Sequence, residues 1–233
     1  WGGKNSVLIL EDGETYRLLT PIFLHAGLLH LVGNVAVQLE TGVFFEKEWG
    51  SLRWTIIYIV SAFGASILSV IVMQQAISVG SSGAVMGLFG GKLAEIVLRA
   101  CENITNRQER VAHNVRKEQC CMVTASVILV LLFSFIPFGK LRRSVVFDTL
   151  FENEEQFAFL YYENSNKHII AFSLLLAVDW AAHLGGLVTG LLVAIPIFGY
   201  DMKAWWPWRL LWMMAGVILL VVTFTTSLSY MHG

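Results

Sequence analysis

The sequence predicts an all-α polytopic membrane protein, and three observations predict it. Of its 233 residues, 56% are hydrophobic and only 14% are charged, which with a mean hydropathy of +0.64 is too apolar for a soluble domain. The apolar residues gather into six segments long enough to cross a hydrocarbon core of about 30 Å as helices. The charged residues fall mainly between those segments. The chain is read as a single membrane domain, 1–233, with an outer loop at 1–20 and six transmembrane helices within 21–227.

Residues 1–20 hold Lys4, Glu11, Asp12, Glu14 and Arg17, and are expected outside the membrane. The first span, 21–45, contains His25, His30, Asn34, Gln38 and Glu40, more polarity than a lipid-facing helix tolerates. His30 and Asn34 are four apart and share a face, expected to look inward, whereas His25 is turned away and is expected to precede the regular helix. The second span, 54–73, carries no charge. After a short connection, the third runs over 82–98 and includes Lys92 and Glu95 at a spacing that favours pairing.

A polar loop at 99–118 precedes the fourth span, 120–138. The connector at 139–168 mixes basic, acidic and aromatic residues and is expected on the membrane surface. Residues 169–198 are apolar for longer than one crossing requires but are interrupted by Asp179, so the first part is expected to be interfacial or tilted. The last span, 210–227, follows Trp205, Trp206 and Trp208, which suit an interface.

Six spans put both ends on one side. The loops at 46–53, 99–118 and 199–209 then share the other side and hold nine Lys and Arg, against six on the side of the ends. The excess marks them as cytoplasmic, so the start of the third span faces the outer or luminal side. A net charge of −1 with dispersed basic residues argues against nucleic acid. The three cysteines lack zinc spacing, so no metal and no cofactor is expected. The chain opens on Trp1 without a signal-peptide pattern and is read as a fragment.

The stretch Gly80-Ser81-Ser82-Gly83 puts a hydroxyl between glycines at the start of the third span. A first helical turn presents backbone N–H groups without intrahelical partners and the positive end of the helix dipole, so negative charge is favoured there. Gly83, Gly87 and Gly91 recur every fourth residue, as do Ala182, Gly186 and Gly190 beside His183. Two such side-chain-poor ridges let helices approach closely and would bring Ser82 and His183 together. Asp179, four residues before His183, is read as a third member of the site or as the cap of its helix, with the cap preferred.

These residues resemble the rhomboid family of intramembrane serine proteases. The likeness runs from Gly13-Glu14-Thr15-Tyr16-Arg17 through His25, His30 and Asn34, continues at Gly80-Ser81-Ser82-Gly83, and ends at Val178-Asp179-Trp180-Ala181-Ala182-His183-Leu184-Gly185-Gly186 with Gly190. The resemblance implies a rhomboid-like helical bundle of six core helices plus one at the C-terminus, as in secretory-type members, with the family's first helix missing. It implies Ser82 as nucleophile, His183 as general base, and His30 and Asn34 as oxyanion donors. It also implies, as partners, the bilayer and the transmembrane segments of other proteins, cut near the outer or luminal face. Location in the secretory pathway or plasma membrane follows more readily than in mitochondria.

Three departures stand out. Tyr16-Arg17 replaces the family's Trp-Arg, Met86 stands where an aromatic often stacks on the base, and the connector at 139–168 is longer than usual. A catalytically inactive rhomboid-like protein that binds transmembrane clients is the alternative. A transporter is disfavoured because no inverted repeat is visible. The sidedness is testable: Asn103-Ile104-Thr105 is an N-glycosylation sequon within the loop read as cytoplasmic, and it is expected to stay unmodified in cells. A glycosidase-sensitive mass shift lost in Asn103→Gln would invert the orientation.

Overall fold

The computed structural model describes residues 2–100, 102, 107–135 and 179–232. Among them the regular structure is helical apart from one antiparallel bridge between Lys4 and Ser78. The stretch expected as an outer loop contains a short helix, α1 (Ser6–Leu10), whose first amides at Val7 and Leu8 donate to the Asn5 side chain. Two 3-10 turns, Thr15–Leu18 and Thr20–Phe23, then lead to α2 (Leu28–Val37). A wide π turn (Gln38–Gly42) joins α2 to α3 (Val43–Trp49).

The first long helix therefore starts later than its apolar run suggests. Pro21 sits in a 3-10 turn and Gly27 takes a φ of +145°, so residues 21–27 cannot continue a helix backwards, and His25 precedes it as expected. Gly50, with a φ of +83°, turns the chain into α4 (Ser51–Val72). Next come α5 (Ser82–Ala100) and α6 (Arg107–Phe135). Helix α6 begins within the stretch read as a polar loop, because 107–119 holds neither glycine nor proline and is rich in helix-forming Arg, Gln, Lys and Glu. The connector at 139–168 and the interfacial run before Asp179 lie outside the described residues. Helices α7 (Trp180–Gly199) and α8 (Trp206–His232) complete the order.

Three helices among the described residues are long and apolar enough to cross a membrane: Ser51–Val72, Trp180–Gly199 and Trp206–Met231. Helix α5 carries Lys92, Glu95 and Arg99 within its 19 residues, and they are paired. Lys92 is 1% exposed and its Nζ lies 2.7 Å from Glu48 Oε2 and 2.8 Å from Glu95 Oε2, while Trp49 Nε1 donates to the same Glu95 oxygen at 2.9 Å. Beside this network, Phe45 stacks on Trp49 at 5.0 Å and meets Phe89 edge-on, and Trp49 packs against Phe198. These rings tie α3 to the middle of α5 and to the end of α7.

Helix α7 is central, packed against α4, α5 and α8. The small residues set the distances. A Cβ on Gly186 would fall 1.9 Å from the Gly83 carbonyl oxygen, one on Gly190 2.0 Å from that of Gly87, and one on Gly90 2.1 Å from that of Leu187. Gly91 departs from the expected ridge and faces Ile57 of α4 and Trp49 instead. Each residue turns a helix by about 100°, so a position seven after Gly83 returns to its face while one eight after has drifted off it. Gly90 takes the place expected for Gly91.

A side chain at Gly186 would force the α5 and α7 backbones apart. Gly186→Ala is expected to cost about 1–3 kcal/mol or more, whereas Gly33→Ala, where an added Cβ meets nothing within 4 Å, is expected to be neutral or stabilising by up to about 1 kcal/mol. Unfolding of the two variants in mild detergent, followed by circular dichroism, checks the ordering.

Candidate active site

Ser82 is the first residue of α5, and the chain is led there by Gly80. That residue has a φ of +123°, which L side chains rarely adopt. An added Cβ would stand 2.9 Å from Cε1 and 3.1 Å from Nε2 of His30, so glycine is required by conformation and by space. The Gly80 amide donates to the Pro21 carbonyl at 2.9 Å, and the Ser81 carbonyl accepts from Val85 at 3.0 Å as the first rung of α5.

His183 lies in the first turn of α7 and is buried. Its Nε2 is 2.8 Å from Ser82 Oγ, a separation that permits a direct proton transfer. Asp179 caps this helix: Oδ1 accepts from the Ala182 amide at 2.8 Å, and Oδ2 accepts from the Ser69 hydroxyl at the end of α4. The cap reading of Asp179 is the one observed, and its carboxylate anchors the start of α7 to α4.

His30 and Asn34 line the same cavity as Ser82 and His183, an opening of about 430 Å³. The Ala26 amide donates to His30 Nδ1 at 3.3 Å, so in the neutral ring the proton resides on Nε2. That nitrogen is the one near Gly80, two residues before Ser82. The Asn34 amide nitrogen donates to the His30 carbonyl at 2.9 Å, and Asn34 Oδ1 accepts from Ser81 Oγ at 3.4 Å. An amide nitrogen has two protons, so one stays available to the cavity. Met86 is buried in the cavity lining.

Ser134 was not singled out by the sequence pattern. Its Oγ lies 2.7 Å from His183 Nδ1, on the side of the ring opposite Ser82. Its only signal in the sequence is a lone hydroxyl in an apolar run, and most such hydroxyls bond their own helix. Among the described residues no cluster of His, Cys, Asp and Glu is arranged to hold a metal ion.

Comparison with known proteins places the chain among relatives. The Rhomboid domain family matches residues 12–200. The chain is similar to Rhomboid-like protease 1 of Toxoplasma gondii, 28% identical over 210 residues, covering 88% of the chain and 56% of that protein. Rhomboid-like protease 3 of Toxoplasma gondii is 32% identical over 127 residues, 54% of the chain and 44% of that protein. RHOMBOID-like protein 6, mitochondrial, of Arabidopsis thaliana is 43% identical over 89 residues, 38% of the chain and 29% of that protein. The chain thus spans between about a third and about half of these relatives' lengths.

Lys4 reaches the cavity from the N-terminal segment and is buried. Its Nζ donates to the carbonyls of Met73 at 2.6 Å and Ala76 at 2.9 Å, and its backbone pairs with Ser78. The segment that delivers Ser82 is thereby clamped from outside the helices. Burial pushes the Lys4 ammonium down to about 8, against a smaller upward pull from Asp179. Below pH 8 both the folded and unfolded chains hold the proton; between about 8 and 10.5 only the unfolded chain still does. The unfolded state then binds more protons, so this group makes stability rise with pH across that window. The stability difference between the parent protein and Lys4→Met, measured by chemical denaturation from pH 7 to 10.5, is expected to grow in the parent's favour above pH 8.

Proposed function

The chain belongs to the rhomboid family, and from that premise we propose that it is an intramembrane serine endopeptidase working through a Ser82–His183 dyad. The observation that carries the proposal is the 2.8 Å approach of His183 Nε2 to Ser82 Oγ on the wall of a cavity that also holds His30 and Asn34. A client-binding protein without catalysis has no need of that pairing. The substrate in this reading is a transmembrane segment of another protein, locally unwound so that a peptide carbonyl is free to react.

His183 takes the Ser82 hydroxyl proton at Nε2 as Oγ attacks the scissile carbonyl carbon. The carbonyl π electrons move onto oxygen, giving a tetrahedral oxyanion. The Ser82 backbone N–H, His30 Nε2–H and the second Asn34 amide proton serve as its donors. Collapse of the intermediate breaks the C–N bond, and the imidazolium returns its proton to the departing amine. A water entering the cavity then repeats the sequence against the acyl-enzyme, with His183 first as base and then as acid, and frees Ser82.

The proposal includes six crossings. The α2–α3 pair, α5 and α6 join the three apolar helices α4, α7 and α8, and Lys92 within α5's path is paired with Glu48 and Glu95. All of the dyad elements then lie at one end of the bundle, toward the outer or luminal face. The helix following α7 favours a secretory or plasma membrane location over a mitochondrial one.

The test uses the full-length protein in proteoliposomes, with a fluorescent transmembrane substrate and a fluorophosphonate probe. Ser82 is expected to be labelled, His183→Ala to lose nearly all labelling and cleavage, and Asn34→Ala to lower kcat by about 10²-fold, the scale of one oxyanion donor. Undiminished labelling in Ser82→Ala would sink the assignment.

A further inference from the structure

We propose that Ser134 of α6 is the positioning residue for the general base, accepting the His183 Nδ1 proton and so holding the imidazole in the one tautomer that can activate Ser82. The inference rests on the protease reading and extends it to a third side chain from a different helix.

The argument is a count of protons. Ser134 Oγ is 2.7 Å from the Val130 carbonyl and 2.7 Å from His183 Nδ1. A serine hydroxyl has a single proton, and a carbonyl oxygen can only accept, so the Val130 contact consumes that proton. Toward the imidazole, Ser134 then offers lone pairs alone, and Nδ1 carries the hydrogen. A neutral ring protonated at Nδ1 has its lone pair at Nε2, the nitrogen that faces Ser82 Oγ at 2.8 Å. One chain of hydrogen bonds thus runs from Ser82 through the ring and Ser134 to the backbone of α6, every donor pointing the same way.

The two middle members of the chain are buried enough for this polarity to persist. Ser134 and His183 are each in the interior, where an Nδ1–H left without an acceptor is costly. Asp179, the carboxylate nearest in sequence, is engaged by the Ala182 amide and the Ser69 hydroxyl. During acylation the proton on Nδ1 stays in place while Nε2 gains the one from Ser82, and Ser134 keeps accepting from the resulting imidazolium. Its role is to orient the ring and fix the tautomer; it touches no reacting atom.

The test is made on the full chain in nanodiscs with 15N-labelled histidine, comparing the parent with Ser134→Ala, Ser134→Thr and Ser134→Cys. Ser134→Ala is expected to lower kcat for a transmembrane substrate about tenfold, the scale of one buried hydrogen bond, with KM unchanged. Ser134→Thr, which keeps the acceptor, is expected to restore kcat to within about twofold. The His183 ring nitrogens should report the proton on Nδ1 in the parent and a shift toward Nε2 in Ser134→Ala. Parental turnover and an unchanged ring spectrum in folded Ser134→Ala would overturn the proposal, as would a folded Ser134→Thr as impaired as the alanine variant. If Ser134→Ala does not fold, the nearly isosteric Ser134→Cys, a weak acceptor, takes its place: a similar loss supports the role and a parental rate refutes it. A folded parent that neither cleaves nor takes up probe removes the protease reading alone, because the ring nitrogens still decide what Ser134 does.

Discussion

The structure depends on how closely the backbones of α5 and α7 approach. Gly186 and Gly190 lie against the backbone of Gly83 and Gly87 with no room for a methyl group, while a methyl on Gly83 or Gly87 would strike Ala65 or Ser61 of α4. In an apolar surrounding, little hydrophobic force presses helices together, so contact of this kind, with its many short backbone contacts, supplies the association. It also fixes the reach between the first turns of the two helices, where Ser82 and His183 sit. A dyad of two short side chains tolerates no slack, and the glycines remove it.

Polarity is distributed to match. At the end remote from the dyad, Lys92, Glu48, Glu95 and the Trp49 indole satisfy one another, and Arg53 pairs with Asp201 nearby. At the dyad end the helices contribute mostly hydroxyls, amides and neutral rings, with Asp179 held by its cap and by Ser69. In the protease reading proposed above, a negative charge developing in that cavity would meet dipoles already held in place.

Much of this was legible in the sequence because the relevant signals are local. Gly80-Ser81-Ser82-Gly83 marks a helix start through a backbone conformation only glycine adopts readily, and His30 with Asn34 share a face by simple spacing. The Lys92–Glu95 pair and the Asp179 cap were readable for the same reason. What escaped was set by tertiary geometry. The Gly91 expectation assumed a strict four-residue repeat, whereas the drift of a 3.6-residue helix hands the contact to Gly90. The late start of α2 came from Pro21 and Gly27 interrupting an apolar run, and the early start of α6 from helix-forming polar residues that hydropathy alone counts as loop. Ser134 and Lys4 act across 49 and about 70 positions of sequence respectively, where no spacing rule applies.

The π turn at Gln38–Gly42 has a consequence for the long helical run from Leu28 to Trp49. Asn34 and Phe45 are eleven residues apart, about three full turns of a regular α-helix, so an unbroken rod would aim both at one neighbour. The wide turn accommodates one extra residue and retards the phase of everything after it by roughly a quarter revolution. The two halves are thereby geared to different levels of the bundle: the first presents its amide and imidazole to the cavity beside Ser81 at the start of α5, and the second seats its rings on Phe89 further along α5 and on Phe198 of α7. The turn is a clutch between two mismatched registers, and it lets one element serve chemistry at one depth and anchorage at another.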